Sequence, residues 1–224
     1  MQLRVLILLC LVTLNGVAKP DKREDREPEA ATGYQQKTAA ESDSAMVSAA
    51  NPHASQAGKI ILSEGGSAID AAVAIQAMLT LVEPQSSGIG GGTFILYWDN
   101  ENKRLHTFDG REKAPQNVDP NMFIQGDKPK PWREAIVGGQ AVGVPGAVSA
   151  LEKAHQQFGV LPWKRLFQDS INLAQKGFEV SPRLAKLVAM DIHPGVKGFD
   201  ATRAYFYPDD APIAAGSVLK NPQL

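Results

Sequence analysis

Cysteine is nearly absent. The 224-residue chain has one, Cys10, which excludes a disulfide framework within the chain and a thiolate zinc site. Neither sign of charge is in excess: 23 Lys and Arg stand against 24 Asp and Glu, a formal net charge of -1 with a pI near 6.4. Such a balance gives no footprint for a nucleic-acid backbone or an anionic membrane. The longest strongly apolar run at the N-terminus, Val5–Leu14, is too short to span a bilayer. Landmark motifs are missing as well. No Gly-Lys-Ser/Thr follows the glycine run at 88–92, and that run precedes a strand-like segment, whereas a dinucleotide site needs strand, glycine loop, then helix. No Gly-x-Ser-x-Gly marks a nucleophile elbow. Its one Ser-x-x-Lys, Ser217-Val-Leu-Lys220, occurs at the frequency chance provides. No two of His53, His106, His155 and His193 share metal-ligand spacing, so each reads as structural or solvated. There is no internal repeat.

What is present describes an exported globular protein. Apolar residues make up 43% and charged residues 21%, enough to build a packed body. Met1–Arg4 is a basic start, Val5–Leu14 an apolar core, and Asn15-Gly-Val-Ala18 a small-residue end. That pattern predicts a signal peptide over 1–18, cleaved after Ala18, with the mature chain periplasmic or extracellular. Cys10 follows the large Leu9, which argues against a lipoprotein anchor. Residues 19–44 are polar and mixed in charge, and read as a flexible leader.

Order is expected from about Ala45. Asn51-Pro52 has the form of an N-cap followed by proline at the first helical position, and Gly65-Gly66 ends that helix. Ser67 with Asp70 forms a capping box for a second helix over Ala68–Val82. It is apolar all round and therefore expected to be covered on every side. Thr93–Trp98 and Lys103–Phe108 read as a hairpin. Ala114 to Pro131 reads as a long surface loop, and Ile136–Val144 as a glycine-broken extended piece. Helices are expected from Pro145-Gly146 to Phe158, from Pro162 to Lys176, and from Pro182 to about Met190, with the remainder loop-rich.

Three features could carry chemistry. The glycines of 88–92 allow tight packing, positive φ or a close backbone approach to a ligand. Asp70, on the buried helix, suits either a catalytic carboxylate or a complement to the helix N-terminus. Arg111, in Asp109-Gly-Arg-Glu112, suits either a turn residue paired with its acidic neighbours or a guanidinium fork for a carboxylate ligand.

The segments Asn51-Pro-His-Ala-Ser-Gln-Ala-Gly-Lys-Ile-Ile-Leu-Ser-Glu-Gly-Gly-Ser-Ala-Ile-Asp-Ala-Ala-Val-Ala74, Glu83-Pro-Gln-Ser-Ser-Gly-Ile-Gly-Gly-Gly92, Phe108-Asp-Gly-Arg-Glu-Lys-Ala-Pro115 and Gly143-Val-Pro-Gly-Ala-Val148 resemble, in order, the opening of the gamma-glutamyltransferase (glutathione hydrolase) family. Phe158-Gly-Val-Leu-Pro-Trp163 and Ala174-Gln-Lys-Gly-Phe-Glu-Val180 extend the likeness across 45–224. The resemblance implies an α+β fold, the α-β-β-α sandwich of N-terminal-nucleophile hydrolases, of which 45–224 is the first part of the large subunit. It implies a proenzyme that cuts itself into two subunits and acts on γ-glutamyl substrates such as glutathione. The nucleophile is a Thr at the new N-terminus of the small subunit, beyond residue 224, and no metal or organic cofactor is involved. It implies that Arg111, in Arg-Glu-Lys-Ala-Pro, binds the α-carboxylate of the γ-glutamyl group. Gly110 before it is also compatible with a cephalosporin- or glutaryl-acylase branch. A secreted, non-catalytic amino-acid-binding fragment is the third reading.

Overall fold

The computed structural model describes residues 38–224. The predicted signal peptide and most of the predicted leader lie outside the described residues; 38–44 is exposed and has neither helix nor strand. The first helix, α1 (Pro52–Ser63), starts as its sequence dictates. The Asn51 side chain accepts a hydrogen bond from the His53 N–H, and Pro52 occupies the first helical position. Gly65, at φ +85°, and Gly66 turn the chain out of α1. Helix α2 (Ala68–Val82) carries the full capping box: Ser67 Oγ accepts from the Asp70 N–H, and Asp70 accepts from the Ser67 N–H.

Helices α1 and α2 pack side by side and build two adjoining cores. One joins Ala54, Ala57, Met78, Leu81 and Val82 to Phe178, Val180, Leu184 and Leu219. The other joins Ile61, Ala71, Val73 and Ala74 to Leu151 and Leu166. The covering of α2 is not complete on every side, however. Ile75, Gln76, Ala77, Leu79 and Thr80 are half-buried among the described residues, because the elements here reach only part of its circumference.

A glycine-rich loop leads from α2 to the hairpin β1 (Phe94–Asp99) and β2 (Arg104–Asp109), one residue later than the sequence pattern suggests. The pairs Ile95–Phe108 and Tyr97–His106 face helix α4 (Ala147–Phe158), where Phe158 sits 4.5 Å from the Tyr97 ring and 4.7 Å from the His106 ring. The opposite hairpin face presents Phe94, Leu96, Trp98 and Leu105 to solvent. The long loop after β2 is exposed, as expected, with a two-residue pair β3 (Ile124–Gln125) and β4 (Lys128–Pro129) and a single-turn α3 (Trp132–Ala135). The expected helix from Pro162 divides into a 3-10 turn, Trp163–Phe167, and α5 (Gln168–Lys176), which Gly177 ends at φ +96°. Ser181 caps α6 (Pro182–Ala189) through the Leu184 N–H. The expected extended piece at Ile136–Val144 is instead turned, with a 3-10 segment at Gly139–Ala141. Besides β3, β4 and α3, the sequence pattern does not show α7 (Asp200–Phe206) or the pairing of β5 (Phe178–Glu179) with β6 (Val218–Leu219). The result is an α+β unit with a helical layer over one face of a hairpin.

Candidate active site

Three chain segments converge at the open end of the hairpin. Gly110 closes the hairpin through reciprocal hydrogen bonds with Thr93, 2.9 and 3.2 Å. Three residues on, Lys113 pairs with Val144 in an antiparallel bridge. The Gly91 carbonyl accepts from the Gly146 and Ala147 N–H groups at the start of α4, a position with no side-chain cap of its own. A backbone acceptor from the glycine loop thus satisfies helix donors that otherwise have no intrahelical partner.

Glycine is required where these segments touch. A Cβ on Gly110 would lie 2.7 Å from Ala150 Cβ and 2.8 Å from the Gly146 carbonyl, and one on Gly92 would lie 2.6 Å from Glu112 Oε2. Within the run this crowding falls on Gly92, against the Glu112 carboxylate and the Gly110 carbonyl, whereas a Cβ on Gly88 or Gly90 would have open space; φ at 88–92 lies outside the left-handed region. Glu112 tucks its carboxylate under that loop, a contact that adjacent sequence gives no means to foresee.

Arg111 stands at the rim of this junction. Its N–H donates to Asp109 Oδ1 at 2.9 Å, which fixes the backbone. Its guanidinium lies 3.3 Å from Glu112 Oε2, with the side chain 71% exposed. A guanidinium on so rigid a backbone, with one loose carboxylate partner among the described residues, still has donors to offer a ligand. Beside it is an open basin of about 360 Å³ whose lining includes Arg111, Lys113, Ser149 and Lys153 over the Gly110–Gly146 contact.

The other candidates resolve as structure. Asp70 is fully buried, and its Oδ2 accepts from the N–H groups of Ser67 (2.8 Å), Val160 (2.9 Å) and Leu161 (3.1 Å). It caps α2 and ties down the 159–161 turn. His155 lies 3.4 Å from Asp70 Oδ1 and 2.9 Å from the Leu161 carbonyl, with its ring against Trp163. His106 packs in the aromatic cluster under the hairpin, His193 accepts from the Gly195 N–H, and His53 is exposed on α1. No group of three or more His, Cys, Asp or Glu among the described residues could hold a metal ion. No helix among them is long and apolar enough to cross a membrane.

Comparison with known proteins decides the ancestry of this arrangement. Residues 54–224 match the family model described as Gamma-glutamyltranspeptidase. The chain belongs to the gamma-glutamyltranspeptidase family. It is 41% identical over 175 residues to the glutathione hydrolase proenzyme of Bacillus subtilis, covering 78% of this chain and 30% of that protein. It is 35% identical over 184 residues to glutathione hydrolase 3 of Arabidopsis thaliana, covering 82% of this chain and 28% of that protein. The chain thus spans about 30% of the length of the curated relatives it matches.

Among solved structures, gamma-glutamyltranspeptidase of Helicobacter pylori superposes with a TM-score of 0.77 at 29% identity, over 82% of this chain and 52% of that one. The cephalosporin acylase of Bacillus halodurans gives 0.62 at 31% identity, over 76% of this chain and 32% of that one. The fold is accordingly the α+β fold of the N-terminal-nucleophile hydrolases, as the sequence resemblance implies.

Proposed function

We propose that this chain forms the N-terminal part of the large subunit of an exported proenzyme that cleaves γ-glutamyl amides such as glutathione and passes the γ-glutamyl group to water or an amino acid. The observation that carries the reading is Arg111. Its backbone is pinned by Asp109, and its guanidinium is presented to solvent where the glycine loop, the hairpin end and the α4 start meet. That side chain binds the substrate α-carboxylate through two parallel N–H donors, a geometry that Lys cannot reproduce.

The nucleophile in this reading is a Thr beyond residue 224, freed at the N-terminus of a small subunit by self-cleavage. Its α-amino group, which titrates near working pH, takes the hydroxyl proton. The Thr oxygen attacks the γ-carbonyl, the amine leaves with that proton, and the resulting ester is then cut by water or by an acceptor amine. Residues 1–18 direct export, and neither metal nor organic cofactor takes part. A second reading, an acylase for glutaryl side chains, is supported by the likeness to the Bacillus halodurans acylase. A glutaryl group offers Arg111 the same carboxylate without the α-amino group.

The test uses the product of the full-length gene after maturation. Turnover of a γ-glutamyl nitroanilide with little turnover of the glutaryl analogue is expected; the reverse preference establishes the acylase. If the reading frame stops after Leu224, the non-catalytic reading holds instead. In the γ-glutamyl enzyme, where sequence beyond residue 224 encloses the site, Arg111→Ala leaves a desolvated carboxylate without its partner, a loss of about 2–4 kcal/mol. That corresponds to a fall of about 30- to 700-fold in kcat/KM, with Lys restoring part of it. Self-cleavage persists, because it uses the chain's own peptide bond. Near-wild-type kinetics in Arg111→Ala would sink the carboxylate assignment.

A further inference from the structure

The basin beside Arg111 is more basic than one carboxylate needs. Arg111, Lys113 and Lys153 all line it, and Asp109 is the acidic residue among its walls. Asp109 Oδ1 is already engaged by the Arg111 N–H. Among the described residues neither Lys113 nor Lys153 makes a salt bridge, in contrast to Arg165, Lys197 and Arg203, which have carboxylate partners within 2.9 Å. Two further features make the basin a place for a ligand. Gly110 and Gly146 leave two positions of its lining without side chains. Ser149 and Lys153, one turn apart on α4, stand on the same wall.

We propose that Lys113 and Lys153 form a second carboxylate subsite, which favours γ-glutamyl donors whose leaving group carries its own carboxylate. The proposal rests on the reading of Arg111 as the anchor for the α-carboxylate. With that carboxylate on Arg111, a basin of about 360 Å³ has room for a second anionic group on the same ligand. Two exposed ammonium groups attract it through a partly screened field that covers distances shorter than the Debye length, about 8–10 Å at ordinary salt. Their strength is that of surface ion pairs, so the selectivity they confer is modest and falls with salt. Ser149, on the same lining, supplies a neutral donor. The lysines act on the leaving group and leave the acyl group to Arg111, so their effect is on discrimination between donors.

The experiment compares two donors on the mature full-length enzyme: γ-glutamyl nitroanilide and its ring-carboxylated analogue, which differ by one carboxylate. The ratio of their kcat/KM values is the readout. Lys113→Met combined with Lys153→Met should lower that ratio about five- to tenfold. Arg at both positions should retain it, and in the wild type the ratio should decline as salt rises from about 20 to 500 mM. If the double variant fails to mature, Lys153→Met alone, on the exposed side of α4, reads the same ratio with about half the logarithmic effect. Turnover with an unchanged ratio in these variants overturns the subsite while the γ-glutamyl reading stands. Absence of turnover of either donor by the wild type overturns that reading, and the subsite with it.

Discussion

Asp70→Ala separates architecture from chemistry in this chain. The carboxylate is completely buried, and one oxygen accepts from three backbone donors: Ser67 at the start of α2, and Val160 and Leu161 some 90 residues away. Hydrogen bonds to a charged acceptor contribute about 1.5–3 kcal/mol each. Three such bonds would total about 4.5–9 kcal/mol if they were independent. They share one oxygen, and Ala leaves room for a water molecule to satisfy part of the set. The expected loss is therefore smaller, about 3–5 kcal/mol. Asp70→Asn keeps an acceptor oxygen but loses the charge, for a loss of about 1–2 kcal/mol.

The assay is amide hydrogen exchange on the mature full-length protein, read in peptides covering 67–72 and 158–163. A loss of about 3 kcal/mol corresponds to exchange about a hundredfold faster at Val160 and Leu161. The Ala variant that does fold should retain turnover, because Asp70 holds the scaffold and touches none of the residues around Arg111. Unchanged protection in Asp70→Ala together with lost turnover would refute this reasoning and return Asp70 to the catalytic carboxylates.

Gly110→Ala places a methyl carbon 2.7 Å from Ala150 Cβ and 2.8 Å from the Gly146 carbonyl. Overpacking of that kind should cost about 1–3 kcal/mol and displace Arg111, which thermal melts together with kcat/KM for a γ-glutamyl donor will register. On the acid side, the hydrogen bonds that Arg165 donates to Glu64 hold the Glu64 carboxyl below its ordinary 4.5. A depressed carboxyl stabilises the fold fully above its unfolded value and loses that contribution as pH falls through the folded one. Glu64→Gln should consequently flatten the acid limb of the stability curve below about pH 4.5, seen by melting at stepped pH. Export is checked by N-terminal sequencing of the mature protein, expected to begin at Lys19; an intact Met1 in the cytosol would contradict it.

The parts of this fold legible in the sequence are those with local chemistry of their own. Asn51-Pro52, the Ser67–Asp70 box, Pro182 and Gly177 each act within a turn or two of chain, and each stands in the structure where the pattern places it. Helix α7 has no such mark. Phe199 at its N-cap makes no side-chain hydrogen bond, and seven residues are too few to show a period. The 3-10 turn at Trp163–Phe167 escapes notice for a different reason. Leu166 is drawn fully into the core beside Ile61 and Val73, and that pull comes from α1 and α2, not from neighbouring residues. Partnerships across long stretches of chain were equally hidden. Asn51 donates to the buried Glu83 over 32 positions, and the second role of Asp70 lies at Val160 and Leu161. At the candidate site, the motif singles out Arg111 for test, whereas the Glu112–Gly92 contact and the placement of Lys153 on the same basin required the fold.

The uncovered face of the hairpin has a bearing on how such a protein is made. Phe94, Leu96 and Trp98 are more than half exposed, and β1 and β2 each have an outer edge with no strand alongside among the described residues. In the exported proenzyme proposed above, this region emerges during synthesis ahead of the sequence proposed to follow it, with an adhesive stripe and two free edges ready to add strands from neighbouring molecules. Yield in a production host is then governed by traffic: how many nascent copies share the compartment, and how long each waits, or is held by a chaperone, with that face uncovered.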